Sequence, residues 1–536
     1  MIIRLAVWLV VCAALFSISF PPPAAAQEDA ALPPILAGNF YPGGLTHADL
    51  LARLPEAVQK SGPITANETW SGVIRMTGDV TVQPGATLII LPGTLVFAAA
   101  LQNDQVEEAP AFVDVFNPHD PPFSTQDHLA LQVNGRLFVL GTAAEPVIFT
   151  SDATEPQGGD WSGIGFGPGT EGWVSRAIVE YFRSFGIGSN IVVQQSILRN
   201  TNGCVCIGDI NADTTVESIY ALTPVFTQNY VYNTGRHSVT IRAGSPIITH
   251  NVLLARPDRT ATGWEHSALG ADFTTCPVIH HNYIAGDQPA PYDGEVAGIY
   301  HAYTQPTAAN INGLCAELVF EYNTVTGTPL ALASNAGPYP VRHNNLLPVL
   351  DPVLGEYADY LADNPQEERS PICIAAGQFT PAIGDPWQDA FIAALGGVPV
   401  SEVFTVTDNY FGTTDPAAIA DCLAEDQRVS FEFAYEPFAT SFIEEALPDW
   451  HEFDWLAPPT VDLCVVTAAN GVNLRADPGT GHAAVGQLLP GQHAGVIGQA
   501  MGDDGLPWWA LAPGLWVRTD VVSNGGDCTA IPSMLP

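Results

Sequence analysis

Four short phrases along the chain place an asparagine at the same point of the same pattern. GSPIITHNVLL (244–254), CPVIHHNYI (276–284), ELVFEYNTV (317–325) and YPVRHNNLL (339–347) each run through a short β-type stretch, a polar pair and then a β-branched or leucine position. Asn251, Asn282, Asn323 and Asn344 share this register, and a related phrase, GSNIVVQQSIL (188–198), precedes them. The shortest spacing, Asn323 to Asn344, sets the length of one unit; the longer spacings mean inserted loops. A unit of roughly 20–25 residues with three short strands cannot bury its apolar face alone. Stacked ~4.8 Å apart, such units pair every strand with its copy above and below. An inward asparagine at a turn then hydrogen-bonds along the stack, satisfying backbone groups that water cannot reach.

The earlier part of the chain repeats a second phrase. GDVTVQPGATLIILPGTLVF (78–97) alternates apolar and polar residues and is cut twice by Pro-Gly, and LALQVNGRLFVLGTAAEPVIFT (129–150) restates it. Each break ends a strand at a corner, where glycine supplies backbone freedom and proline stops pairing. Together with DWSGIGF (160–166) and the late segment TDNYFGTTDPAAIADCLAED (407–426), these phrases resemble the right-handed parallel β-helix family, the pectin-lyase-like fold. The resemblance implies an all-β solenoid over 67–443. It is specific for fold and not for function, since the family holds lyases, hydrolases, epimerases, adhesins and surface proteins. Ahead of the coils, THADLLARLPEAVQ (46–59) reads as a short amphipathic helix within an N-terminal segment, 27–66, that caps the open end of the solenoid.

Residues 1–26 carry Arg4, an apolar run from Leu5 to Phe20 and Ala24-Ala25-Ala26 before Gln27, the pattern of a secretory signal peptide. Cys12 follows Val11, which does not fit a lipoprotein cleavage site, and no later apolar run is long enough to span a bilayer. The expected location is extracellular, in solution or at the cell surface. A net charge of −39 repels nucleic acid, anionic lipid and polyanionic glycans, and excludes nucleic acid as a partner. Eight cysteines follow the leader, an even number suited to disulfides in an oxidising compartment, and their spacing is not that of a zinc site. Sequence order suggests Cys373 with Cys422 and Cys464 with Cys528 and leaves Cys204, Cys206, Cys276 and Cys315 open.

The acidic, proline-containing stretch 444–462 reads as a linker. Beyond it, Gly471-Val472-Asn473-Leu474-Arg475 before Asp477-Pro478-Gly479, then Leu489-Pro490-Gly491, Trp508-Trp509 and Leu515-Trp516-Val517 resemble a bacterial SH3-like domain over 463–530. That resemblance implies a small β-barrel used for cell-wall peptide or as an accessory module. The ends of such a barrel lie close, which favours a staple between Cys464 and Cys528.

Catalytic residues of the β-helix family find no motif here. Lys60 is the only lysine and precedes the expected coils, and Arg199, Arg236, Arg242 and Arg342 lack an accompanying aspartate cluster. The one Asp-Asp pair, Asp503-Asp504, lies in the SH3-like segment. Asp209, Asn211 and Asp213 have the spacing of the first three ligands of a calcium loop, yet Thr214 and Tyr220 stand where glycine and an acid belong. A solvated loop is the plainer reading, and Ca2+ is the one cofactor the pattern suggests. His250, His281 and His343 precede the register asparagines and stack along one exterior edge, with His280 beside them; ladder packing is the plainer reading than a metal site.

The insertion at 255–310 concentrates Trp264, Tyr292, Tyr300 and Tyr303 with Asp272, Asp293 and Glu295. Aromatic faces stack on sugar rings, and carboxylates bind hydroxyls. Trp264, Asp272, Tyr292, Tyr300 and Tyr303 are the expected ligand-binding set, while the plainer reading packs these aromatics onto the coils. Asp293 and Glu295 are the candidate pair if the protein cleaves glycans. The expected function is binding of extracellular glycan or cell-wall material without turnover. Two alternatives stand beside it, a polysaccharide hydrolase or lyase on the same fold and a structural or adhesive surface protein.

Overall fold

The structure, a computed structural model, describes residues 41–104, 128–208, 221–234, 237–255, 267–271, 275–286, 307–311, 315–328, 330–334, 339–348, 371–376, 403–425, 432–448, 464–529 and 531–534. The chain divides into two compact units, Met1–His47 and Ala48–Pro536. In the first, the described residues carry a single 3-10 turn, Pro42–Gly44. The stretch expected as a signal peptide, 1–26, lies outside the described residues, and no helix among those described is long and apolar enough to cross a membrane.

The second unit is built on three columns of parallel strands. One column is a ten-stranded sheet running from Glu68–Trp70 to Val341–Arg342. The other two form a 21-stranded sheet, joined because the long strand Val73–Val82 runs through both: Val73–Met76 pair with Leu95–Ala98, and Val80–Val82 pair with Leu131–Val133. Pairing begins ahead of the expected start, since Val58–Ile64 already lies parallel to Val73–Val82. The stretch expected as a capping helix is accordingly short. It forms His47–Leu51 and a 3-10 turn at Leu54–Glu56, and Pro55 cannot continue a helical ladder.

Residues in register form ladders through the core. In the second column Phe149, Val179, Leu198, Val231, Leu253, Ile284, Val325 and Leu346 stack one above another, and none is exposed. Val139, Val174, Val193, Phe226, Ile248, Ile279, Phe320 and Val341 do the same in the first. Burying a side chain of this size contributes about 1.5–3 kcal/mol, repeated on every coil.

From Gln195 onward the turn that leads into the second column has one construction. A non-glycine residue takes positive φ at Gln195, Gln228, His250, His281, Tyr322, His343 and Asp408. After it comes Ser196 on one coil and asparagine on the others: Asn229, Asn251, Asn282, Asn323, Asn344 and Asn409. Each asparagine amide donates to the next asparagine oxygen, at 3.1 Å from Asn229 to Asn251 and 3.0 Å from Asn344 to Asn409. The same oxygens accept from the backbone N–H of the asparagine one coil earlier. The ladder thus has two more rungs than the four read from the phrases, one at each end. Left-handed backbone costs a non-glycine residue about 1–2 kcal/mol, which these bonds offset.

All eight described cysteines are bonded: Cys204–Cys206, Cys276–Cys315, Cys373–Cys422 and Cys464–Cys528. Residues 464–534 form a three-stranded and a five-stranded antiparallel sheet. They pack on the outward face of the first column, where Ile89, Leu91, Phe138, Leu140 and Trp173 share one apolar cluster with Val466, Leu474, Leu488 and Leu511. Asn67 Nδ2 donates to the Ala484 carbonyl and Thr69 Oγ1 to that of Gln487, both at 3.2 Å.

Candidate functional site

The positive-φ turns hold planar side chains over one another on the outer edge of the stack. The Gln195 amide donates to Gln228 Oε1 at 3.3 Å. His250 and His281 stack with centroids 4.9 Å apart, His281 and Tyr322 at 5.2 Å, and Tyr322 and His343 at 4.8 Å. The expected histidine edge therefore exists with a tyrosine inside it, because the coil between His281 and His343 carries Tyr322 at the rung. Asp408 ends the series without a ring.

His280 stands edge-on to both His250 and His281. Its Nδ1 lies 2.8 Å from His281 Nδ1 and 2.9 Å from Thr249 Oγ1, and Thr249 Oγ1 lies 2.7 Å from His250 Nδ1. The His280 and His281 rings are nearly perpendicular with centroids 5.0 Å apart, so the two nitrogens sit between them almost in line. That is the geometry of one N–H···N bond, not of two ligands converging on an ion. A proton on His280 Nδ1 and a Thr249 hydroxyl donating to His250 satisfy the group with every ring neutral. Burial, followed by His250 and then His280, pushes the His281 pKa down to about 4. Burial also lowers His280, helped by His250 and opposed by Glu321.

At the C-terminal end of this ladder a cleft of about 410 Å3 opens between two walls. Tyr322, His343 and Asp408 form the ladder wall; Phe438, Ile443 and Glu445 form the other. The second wall is fixed to the coils by side chains that act as a strand would. Asn345 accepts from the Ile443 N–H and donates to the Ile443 carbonyl, both at 2.9 Å, and Thr324 Oγ1 donates to the Ala446 carbonyl at 3.0 Å. The start of the expected linker, Glu444–Ala446, is thus a 3-10 turn seated on the stack, with Ala446 fully buried. No hydrogen bond or ion pair ties the side chains of Tyr322, His343, Asp408 or Glu445 to another described residue. The nearby Arg342 is engaged by Glu321, its Nε 3.0 Å from Oε1. The cleft therefore combines an apolar wall, a phenol, an imidazole and two carboxylates with open valences.

Trp264, Asp272, Tyr292, Asp293, Glu295, Tyr300 and Tyr303 lie outside the described residues, as do Asp209, Asn211 and Asp213. Asp272 directly follows the third-column strand Leu269–Ala271, whereas the other six fall between a second-column and a third-column strand, Trp264 between Val252–Ala255 and Leu269–Ala271 and the rest between Tyr283–Gly286 and Thr307–Ile311. This corner is different from the one that carries the ladder and cleft. Arg199 is fully buried against Glu180, at 2.7 Å, and so cannot meet a substrate. Cys276, Cys315 and Glu317 bring three potential ligands together, but the cysteines are bonded to each other and their sulfurs are not thiolates. Asp408 and Glu445 were hidden in phrases read for other reasons. Asp408-Asn409 repeats the polar-Asn step of the coils, and that repetition was the available signal for the last rung.

A family model, the pectate-lyase like beta helix domain, matches residues 62–168, so the opening coils are similar to that domain. No curated protein and no solved structure matches the chain.

Proposed function

We propose that the protein is an exported β-helix that binds extracellular polysaccharide without turning it over, and that its C-terminal residues form an SH3-like module for cell-wall or accessory contact. The observation that carries this reading is the cleft at the end of the ladder. Phe438 and Ile443 offer an apolar wall for the C–H face of a sugar, while Tyr322, His343, Asp408 and Glu445 offer unused polar groups for its hydroxyls. The pectate-lyase-like match over the first coils supports a polysaccharide connection, and the four disulfides suit an extracellular protein. The charge of −39 and the two carboxylates disfavour uronate polymers. Trp264, Tyr292, Tyr300, Tyr303 and Asp272 belong to the same proposal as a second aromatic surface, and Asp209, Asn211 and Asp213 as a calcium loop.

A glycan array followed by titration calorimetry tests it. Phe438→Ala is expected to weaken the affinity for a captured glycan by about 1–3 kcal/mol, as loss of an aromatic platform does. Trp264→Ala measures the second surface separately. Release of reducing sugar or of an unsaturated product, abolished by Asp408→Asn or Asp293→Asn, would replace binding with catalysis. Binding that survives Phe438→Ala unchanged would remove the cleft from the reading.

A further inference from the structure

We infer that the cleft selects glycans bearing free amino groups over neutral or acetylated ones; this rests on the polysaccharide-binding reading and adds the ligand's charge. The geometry points to a cation on three counts. Asp408 and Glu445 face the cleft from opposite walls, one at the last rung and one in the 3-10 turn Glu444–Ala446. Neither carboxylate has a described partner, and the one arginine nearby is taken by Glu321. Among the described residues no lysine or arginine lines the cleft to supply the countercharge. An ammonium group has three donors and no acceptor, which complements two carboxylates, the Tyr322 hydroxyl oxygen and the ring nitrogens of His343. The rest of a hexosamine ring is apolar on one face and meets Phe438 and Ile443. At longer range a chain of charge −39 concentrates cationic polymers near its surface.

The His343 ring also stands at the end of its stack. One face lies on Tyr322, and the next rung, Asp408, brings a carboxylate instead of a ring. The final step of the ladder thus places a carboxylate where the steps before it place a ring.

Two hexamers of β-1,4-linked sugar decide it, one of glucosamine and one of N-acetylglucosamine, each titrated into the full chain. The glucosamine hexamer should bind about tenfold tighter or more, the size of one charge-assisted hydrogen bond. That difference should shrink as salt is raised. Asp408→Asn and Glu445→Gln should each reduce the ratio of the two affinities to about threefold or less, whatever each does to the acetylated hexamer's own affinity. Asn accepts positive φ as Asp does, so Asp408→Asn keeps the rung; unchanged thermal unfolding verifies this. Equal affinity for the two hexamers, or a preference that survives both substitutions, overturns the amine selectivity and leaves polysaccharide binding standing. Failure of both hexamers and of every glycan on the array overturns both.

Discussion

His281 shows how one rung governs the behaviour of the turn edge. Its imidazole is covered on one face by His250 and on the other by Tyr322, with His280 against its edge. Burial is the main reason its pKa falls to about 4, and the neighbouring imidazoles add to it. Because the folded value lies below the unfolded one, the unfolded chain takes up a proton as pH drops from about 6.5 toward 4 and the folded chain does not. Stability should therefore be fully present above pH ~6.5 and be lost progressively down to pH ~4. His281→Gln should flatten part of this slope, since Gln228 and Gln195 already fill the same rung two and three coils away; denaturant unfolding at a series of pH values measures it. The remaining slope belongs to His280, which shifts in the same direction. A His281 imidazole that titrates near 6.5 by NMR would sink the account. The rung also explains what the sequence hid. It demands a planar or αL-tolerant side chain, so Gln, His, Tyr and Asp all serve, and identity does not repeat. The asparagine that follows must donate and accept along the stack, so its identity does repeat, and Asn251, Asn282, Asn323 and Asn344 were legible.

At the scale of strands, the second column carries a buried ion pair. Glu180 and Arg199 are Cα partners on neighbouring coils, and neither side chain is exposed. Glu180 Oε1 accepts from the Thr150 hydroxyl at 2.7 Å, Oε2 from Arg199 Nε at 2.7 Å, and Arg199 Nη1 donates to the Tyr232 hydroxyl at 3.1 Å. Four consecutive coils thus contribute one polar row, Thr150, Glu180, Arg199 and Tyr232, where the inward row beside it is wholly aliphatic or aromatic. In the sequence Arg199 reads only as a basic residue on a coil, because its partner lies one coil away and Glu180 sits in an otherwise apolar phrase, AIVEYF. Removing one charge leaves the other buried without its ion-pair partner. Arg199→Met should cost about 3–5 kcal/mol of stability, and Glu180→Met a similar amount. The double replacement should cost less than either single one, since apolar groups of similar volume need no countercharge. Chemical denaturation of the four proteins in a double-mutant cycle tests this; additive losses would show that the two residues act independently.

Across the whole second unit, the outward row of the first column explains where the C-terminal sheets sit. Ile89, Phe138, Trp173, Val192, Val225 and Ile247 are successive partners in register. The row begins under the C-terminal cluster and ends in the open: Phe138 is 2 % exposed and Ile247 36 %. An apolar outward row has a stable solution only where something covers it, and residues 464–534 cover its first three members. The fit is close, since a methyl added at Gly486 would stand 2.1 Å from Ile89 Cδ1. At the rim, His493 Nε2 meets Glu145 at 2.5 Å. The cue was present in the run TLIIL (87–91), whose unbroken apolar character signals a strand covered on both faces, but nothing in the sequence said by what. If this contact couples the two parts, the coils and the C-terminal sheets should melt in one calorimetric transition. Phe138→Asp buries a charge without a partner in the centre of the cluster and should separate them. The expected trace then shows two transitions, with the Cys464–Cys528 bond keeping the smaller part folded on its own and amide exchange rising in Thr87–Ile90 and Arg136–Leu140. Phe138→Leu should keep the single transition, because it changes shape and not polarity. A single unchanged transition for Phe138→Asp, with exchange unaltered in those strands, would mean that the apolar row is not what holds the two parts together.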